Sequence, residues 1–382
     1  MANATAAFVL GTRPEIIKLA PVIKECDRRD VSTIVIHTGQ HYSKSLDTVF
    51  FRQLDLAPPA VNLDVGSGSH GEQTGEMVIG IEQHLKDADP DVLFVQGDTN
   101  STLAGALAGS KLDIEVAHIE AGLRSYDRDM PEERNRIIID HAVDHLYPPT
   151  GETANLLREE GISDNRITVT GNTIVDAVMA YDDTSSSVSS ILADLDLSPG
   201  EFDLLTAHRA ENVEDRDRFA NILFGVAAAA TRRENDVIYP VHPRAKDRLE
   251  EFDLSVPDCI RTVEPLDFFD FLRLESTASL VFTDSGGVQE ETCVLGTPCV
   301  TLRNGTERPE TVFAGANCIV GHRPDDIVAG ARQMRPKVGD WELPFGDGNA
   351  SEYILDDLGF DASHRTRQPQ ERAASSGGVK EP

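Results

Sequence analysis

Ala6-Ala7-Phe8-Val9-Leu10-Gly11-Thr12-Arg13-Pro14-Glu15 is the stretch that decides the fold class of this 382-residue chain. Five apolar residues in a row fit a strand buried on both faces. The turn at Gly11 follows, and Pro14 falls in the first turn of a helix, where its missing N–H costs nothing. The helical pattern continues to Cys26. A buried strand turning directly into a helix is half of a βα unit, and repeated βα units build parallel sheets. The alternation repeats outward from there. Thr33 to His37, Val92 to Val95 and Val116 to Ile119 read as buried strands, with helices at Gly71 to Lys86 and Ser101 to Leu112. A second series has strands at Asp203 to Thr206, Val237 to Tyr239, Ile260 to Val263, Leu280 to Thr283 and Cys299 to Leu302. Between the two series, Asp182 to Ser190 and Asp196 to Phe202, with Pro199-Gly200, carry turn or linker chemistry. The expected architecture is α/β, with two doubly wound domains (1–174 and 175–363) facing a cleft and a disordered, apolar-poor tail at 364–382.

Composition narrows the function. The chain is 40% hydrophobic, 26% charged and 6% aromatic, as a globular protein is. Its 65 Asp and Glu against 35 Lys and Arg give a net charge of -30 and a pI near 4.6. Such a surface repels nucleic acid and anionic lipid, so neither is an expected partner. Only eight of the cations are Lys, against 27 Arg. An acid-rich, Lys-poor surface suits a salt-saturated cytoplasm, where at ~1 M salt a Debye length of ~3 Å screens self-repulsion. The reading therefore expects a halophilic source. Five widely spaced cysteines (Cys26, Cys259, Cys293, Cys299, Cys318) form no CxxC pair and no zinc-finger spacing, so neither a disulfide framework nor a structural metal is expected. The N-terminus lacks the pattern of a secretory leader, and no run approaches 18 consecutive apolar residues. A soluble cytoplasmic protein is the expectation.

Chemistry-bearing residues gather at the predicted strand ends. After the first strand, Gly11 to Glu15 exposes backbone N–H groups beside Arg13 and Lys18, suited to a diphosphate or sugar oxygens, or is an ordinary βα turn. Gln96-Gly97-Asp98-Thr99 ends another strand, and its Asp98 is either a ligand-facing acid or a helix N-cap. In His118-Ile119-Glu120-Ala121-Gly122-Leu123-Arg124 ionisable groups interrupt an apolar run, and a carboxylate there needs a partner. Met130-Pro131-Glu132-Glu133-Arg134-Asn135-Arg136 opens a helix whose dipole favours acids in its first turn. Asp98, Glu120 and Glu132 would project from one sheet edge, where neighbouring carboxylates raise one another's pKa and suit acid/base work.

In the second series, His208-Arg209 and His242 follow successive strands, as an anion site would require. Thr283-Asp284-Ser285-Gly286-Gly287-Val288-Gln289-Glu290-Glu291 reads as strand, glycine turn and helix. Gly286-Gly287 lets backbone N–H groups approach phosphate oxygens, and Glu291, one turn inside, is placed to accept a ribose's hydroxyls. The pattern is neither GxGxxG nor a P-loop, which argues against a dinucleotide cofactor and an NTPase. Residues 303–309 follow the next strand and would line the same pocket.

Taken in order, GTRPE, TGQH (Thr38 to His41), QGDT, HIEAGLR, PEERNR, TGNT (Thr170 to Thr173), HRAEN, VHP and TDSGGVQEE resemble the non-hydrolysing UDP-N-acetylglucosamine 2-epimerases. The resemblance runs from Gly11 to about Leu358. It implies the GT-B architecture of two Rossmann-like domains, a homodimer, and C2 epimerisation of UDP-GlcNAc to UDP-ManNAc without nicotinamide cofactor or metal, by elimination of UDP to 2-acetamidoglucal and re-addition. It further implies that Asp98, Glu120 and Glu132 serve the acid/base chemistry and that Arg13, His208 and Ser285-Gly286-Gly287 stabilise the diphosphate. Lys18 would support the carboxylates, Arg209 would help bind UDP, His242 would contact the nucleotide or a phosphate, and Glu291 would hold the ribose. Bacterial regulation by a second substrate molecule would fall near Gln40 and His41, after which this chain departs from the bacterial pattern. Rival readings are an epimerase for another UDP-2-acetamido sugar, such as a 2,3-diacetamido uronic acid, a hydrolysing epimerase, a GT-B glycosyltransferase, and a sensor that binds without turnover. The charge reading makes its own forecast: folding and activity are lost in dilute buffer and recovered in molar KCl, as followed by circular dichroism and turnover. Equal behaviour in both would contradict it.

Overall fold

In a computed structural model, which describes residues 4–40, 44–232 and 235–360, the chain forms two parallel six-stranded sheets. The first contains β1 (Thr5–Leu10), β2 (Ser32–His37), β3 (Val61–Asn62), β4 (Val92–Gln96), β5 (Glu115–Ile119) and β6 (His145–Tyr147). The second contains β7 (Phe202–Thr206), β8 (Asp236–Pro240), β9 (Ile260–Val263), β10 (Leu280–Thr283), β11 (Cys299–Thr301) and β12 (Asn317–Ile319). Their orders are β3-β2-β1-β4-β5-β6 and β12-β11-β10-β7-β8-β9. Numbered from its own first strand, the second sheet has the same doubly wound order as the first. The chain therefore builds one topology twice and leaves a switch point in each sheet, between β1 and β4 and between β7 and β10. Ligands of open α/β sheets bind in the crevice beyond those points.

The central strands are fully buried, as their unbroken apolar runs require: Ala6 to Leu10 and Val92 to Val95 have essentially no exposure. The short strands β3, β6 and β12 escape the sequence reading, because two or three residues at or near a sheet edge carry too little pattern.

The linker expected at 182–190 is a correction. Helix Thr173–Val188 runs through most of it, because Val178 and Tyr181 are buried against helices of both layers and packing overrides the local preference of Asp, Ser and Thr. The Tyr181 ring meets Phe268 and Phe269 of the second layer edge-on, at 5.8 and 6.1 Å. Helix Ala350–Asp357 returns to the first layer, where Asp356 pairs with Arg29 at 2.6 Å and Asp357 accepts from Tyr147 at 3.0 Å. One hydrophobic cluster thus joins β1, the bridging helix, Phe268, Phe269 and the C-terminal Ile354 and Leu355. The expected tail at 364–382 lies outside the described residues.

The turn after β1 is held by close approach. A Cβ on Gly11 would stand 2.0 Å from Thr38 Oγ1 and 2.2 Å from Ser101 Oγ, whose hydroxyls hydrogen-bond each other at 2.7 Å. Gly11→Ala therefore forces the turn away from β2 and the helix after β4. It is expected to lower unfolding free energy by about 1–3 kcal/mol in a denaturant melt, with an unchanged midpoint as the contrary result.

Candidate active site

The loops that follow the switch-point strands meet across the gap between the layers. They line a cleft of about 300 Å³ whose walls include Lys18, Asp98, Glu120 and Glu132 on one side and Arg209, Ser285, Gly286, Gly287 and Arg308 on the other. A second cavity of about 230 Å³ is lined by Arg13, Phe50, Phe268, Phe271 and Glu291. A third, of about 200 Å³, is lined by His208, His242, Leu266 and Phe271. Ser285 lines all three, so the glycine turn after β10 is their junction. Arg13, Lys18, Asp98, Glu120, Glu132, His208, Arg209, His242, Ser285, Gly286, Gly287 and Glu291 therefore each line one of three adjoining spaces.

Helix Gly286–Leu295 starts at that junction, and Ser285 makes no side-chain cap to it. A Cβ on Gly286 would meet no described atom within 4 Å, and one on Gly287 would meet only Ser285 Oγ at 3.9 Å. Packing does not require glycine at either position. Both glycines line the cleft, which suits a ligand drawn against the helix's free N–H groups.

Asp98 is not the N-cap of the helix after β4. Thr99 is, accepting from Thr102 N, which leaves the Asp98 carboxylate half-buried in the cleft with Arg136 Nε at 2.8 Å. Of the two acids in the PEE motif, Glu133 is structural: it is 2% exposed, accepts from Ser125 N and Tyr126 N, and pairs with Arg136 at 2.8 Å. Glu132 is exposed on the cleft wall.

Glu120 sits in the left-handed region at φ 71, with its N–H donated to Tyr147 O. Its carboxylate has the partner that a buried charge demands, and more than one. Lys18 Nζ lies 2.6 Å from Oε2, Arg308 Nη2 lies 2.5 Å from Oε1, and Gln96 Nε2 also donates to Oε2. Glu290 closes the group, 2.8 Å from Lys18 Nζ and paired with Arg308 Nε, while Asn172 Nδ2 donates to it at 3.0 Å. Burial pushes the Glu120 carboxyl up, but the Lys18 and Arg308 charges outweigh it and hold Glu120 below the ordinary carboxylate range. The upward shift expected from clustered acids fails for Glu120, because two cations stand between it and the other acids' influence.

Other buried acids organise the loops. Glu15 accepts from Gly11 N at 2.9 Å and from Thr12 and Thr99 Oγ1 at 2.8 and 2.7 Å, tying the loop after β1 to the loop after β4. Burial raises its pKa against those hydrogen bonds. Asp284, fully buried, accepts from His208 N and Arg209 N and lies 2.9 Å from His208 Nδ1, so it aims the whole His208-Arg209 turn. Burial pushes the Asp284 carboxyl up, and His208, with the hydrogen bonds from Arg209 N and Asn212, more than reverses this. His242 Nδ1 accepts from Arg244 N as a helix N-cap, which leaves Nε2 as the ring's donor. Partial burial and the nearby His208 hold its pKa below that of a free histidine. Glu291 lies in the second cavity beside buried Glu275. Burial raises both carboxyls, Glu291 to about 7.

Sequence reasoning missed Glu290, Arg308, Arg136 and Asp284 as individual residues, although all four stand in or beside quoted motifs. In the TGQH segment, Gln40 Oε1 accepts from Ser101 N and Oγ at 3.1 and 2.7 Å. His41 lies outside the described residues.

The model of the UDP-N-acetylglucosamine 2-epimerase family matches residues 24–359. A UDP-N-acetylglucosamine 2-epimerase of Methanocaldococcus jannaschii is 47% identical over 360 residues, covering 91% of this chain and 97% of that one. A UDP-2,3-diacetamido-2,3-dideoxy-D-glucuronate 2-epimerase of Pseudomonas aeruginosa is 38% identical over 355 residues, covering 92% and 98%. Among solved structures, that of the Methanocaldococcus jannaschii UDP-GlcNAc 2-epimerase with UDP-GlcNAc and UDP superposes with a TM-score of 0.86 at 46% identity, covering 94% of this chain and 100% of that one. With the motifs, the doubled topology and the cleft in agreement, the chain belongs to the UDP-N-acetylglucosamine 2-epimerase family.

Proposed function

We propose that the chain interconverts UDP-GlcNAc and UDP-ManNAc by inversion at C2, as a cytoplasmic homodimer in a salt-adapted, haloarchaeal cell. The observation that carries the chemistry is the meeting of three carboxylates, Asp98, Glu120 and Glu132, with the helix start at Ser285-Gly286-Gly287, which the Ser285 side chain does not cap, in one cleft. The diphosphate lies at that helix start, with Arg13, His208 and Arg209 around it, and the sugar extends toward the carboxylates. Glu291 accepts from the ribose, and the His242 Nε2–H donates to the nucleotide. Residues 1–174 and 175–363 act as the two domains, with helix Ala350–Asp357 docked back on the first.

The reaction needs a base for the C2 proton and stabilisation of a leaving diphosphate. Removal of the C2 proton by a carboxylate, with the C1–O electron pair leaving on UDP, forms the C1=C2 bond of 2-acetamidoglucal. A protonated carboxyl then delivers a proton to the opposite face of C2 as the diphosphate oxygen re-forms its bond to C1. Glu120 already accepts from Lys18, Arg308 and Gln96, so it orients and balances charge while Asp98 and Glu132 exchange the protons. Cation pairing also bears on substrate choice. Lys18, Arg136 and Arg308 are each committed to carboxylates, which favours an uncharged hexose over a uronate whose extra carboxylate would need a partner.

NMR of the chain with UDP-GlcNAc in D2O and molar KCl is expected to show UDP-ManNAc carrying deuterium at C2. Asp98→Asn is expected to stop that exchange while UDP binding persists. Free sugar in place of UDP-ManNAc would support hydrolysis, transfer only with an added acceptor would support a glycosyltransferase, and normal exchange in Asp98→Asn would remove Asp98 from the chemistry.

A further inference from the structure

His118 lies beneath the carboxylate loops, 1% exposed, and does not itself line the cleft. Its Nδ1 is 2.7 Å from Asp140 Oδ1 and its Nε2 is 2.8 Å from the Gly97 carbonyl oxygen. A carbonyl oxygen only accepts. Asp140 is fully buried, and its second oxygen takes Arg124 Nη2 at 2.8 Å and the Gly122 N–H at 3.2 Å. With the Arg124 guanidinium and the Gly122 N–H both on its second oxygen, Asp140 is held as a carboxylate, so its first oxygen too is an acceptor. Both ring nitrogens therefore face acceptors, and a neutral ring would set one lone pair against another where water does not reach.

We propose that His118 is a positioning residue for the epimerisation, a doubly protonated ring that clamps the Gly97 carbonyl to Asp140 and so fixes Asp98 relative to Glu120. The inference rests on the epimerase reading above. Gly97 is left-handed, at φ 76, and its N–H is donated to Ile119 O at 3.1 Å. With His118 on its carbonyl, both polar groups of the turn are tied to β5, and the next residue is Asp98. On the far side, Asn135 Nδ2 donates to the Asp98 carbonyl at 2.9 Å. The same Asp140 carboxylate holds the Gly122 N–H, so one buried ion pair fixes the loops after β4 and β5 together. Arg124, held by Glu160 as well, completes a balanced group of two cations and two anions. The ring's charge also lies near Glu120, two residues along, and helps Lys18 and Arg308 keep that acid ionised.

Two measurements on the full chain test this. Nitrogen-15 spectra of histidine-labelled protein at neutral pH, with the His118 signals assigned by their loss in His118→Gln, are expected to show a proton on both ring nitrogens. A His118 ring with one unprotonated nitrogen overturns the proposal. In kinetics, Gln supplies a donor to only one of the two acceptors. His118→Gln is expected to slow C2 deuterium exchange by about 100-fold, as a displaced catalytic group does, while UDP affinity changes by less than about threefold. Wild-type exchange in that variant, or loss of UDP binding in step with turnover, overturns the positioning role. Should the variant not fold, long-range couplings in the wild-type spectrum assign the ring and still decide its protonation. No turnover by the wild-type chain would sink the epimerase reading, whereas a singly protonated ring would sink the clamp alone.

Discussion

Lys18, Glu120, Arg308 and Glu290 form a closed ring of alternating charge at the centre of the molecule, and the rest of the structure is arranged so that this ring can exist. Two of its members come from the first layer and two from the second. Lys18 to Glu290 and Arg308 to Glu120 are the contacts that cross. Side chains this buried lose hydration worth several kcal/mol per ion, and only good geometry on every edge offsets it. A ring with one member missing leaves an unpaired buried charge, so the arrangement holds the layers in one register or not at all. The hydrophobic cluster around helix Thr173–Val188 supplies cohesion, and the ring selects which faces meet.

That constraint explains how so acidic a chain makes a site for an anion. The net charge of -30 resides mainly on the surface. In the cleft, Lys18, Arg136 and Arg308 are each paired with carboxylates, and on the proposed reading the glycine turn and the Arg13, His208 and Arg209 side chains receive the ligand. Glu120 stays ionised because its cations are fixed, and among the described residues the Asp98 carboxylate pairs with Arg136 alone. Each carboxylate loop is in turn fixed from beneath, by Glu15 for the turns after β1 and β4 and by Asp140 for the turns after β4 and β5.

Much of this was legible in the sequence because open α/β proteins place their chemistry at strand ends. Buried strands announce themselves as apolar runs, and residues just after β1, β4, β5, β7, β8 and β10 are among those that line the three cavities. What could not be read was pairing. Glu290 and Glu291 are adjacent, and a helix turns about 100° between them, which sends one to the ion ring and the other to the second cavity. The phase of that helix against its neighbours is a tertiary fact. Arg308 stands in a loop without periodicity, and only the fold shows that it reaches Glu120, 188 positions away. Asp182 to Ser190 misled for the converse reason: local turn chemistry lost to the burial of Val178 and Tyr181 between two layers.

The claim that a buried ion ring joins the layers is tested most directly by a double-mutant cycle on unfolding free energy, using Lys18→Met, Glu290→Gln and the pair in molar KCl. The account predicts a coupling of about 1.5 kcal/mol or more between these two residues of different layers. Additive effects, within about 0.5 kcal/mol, would show that the layers are held together without it.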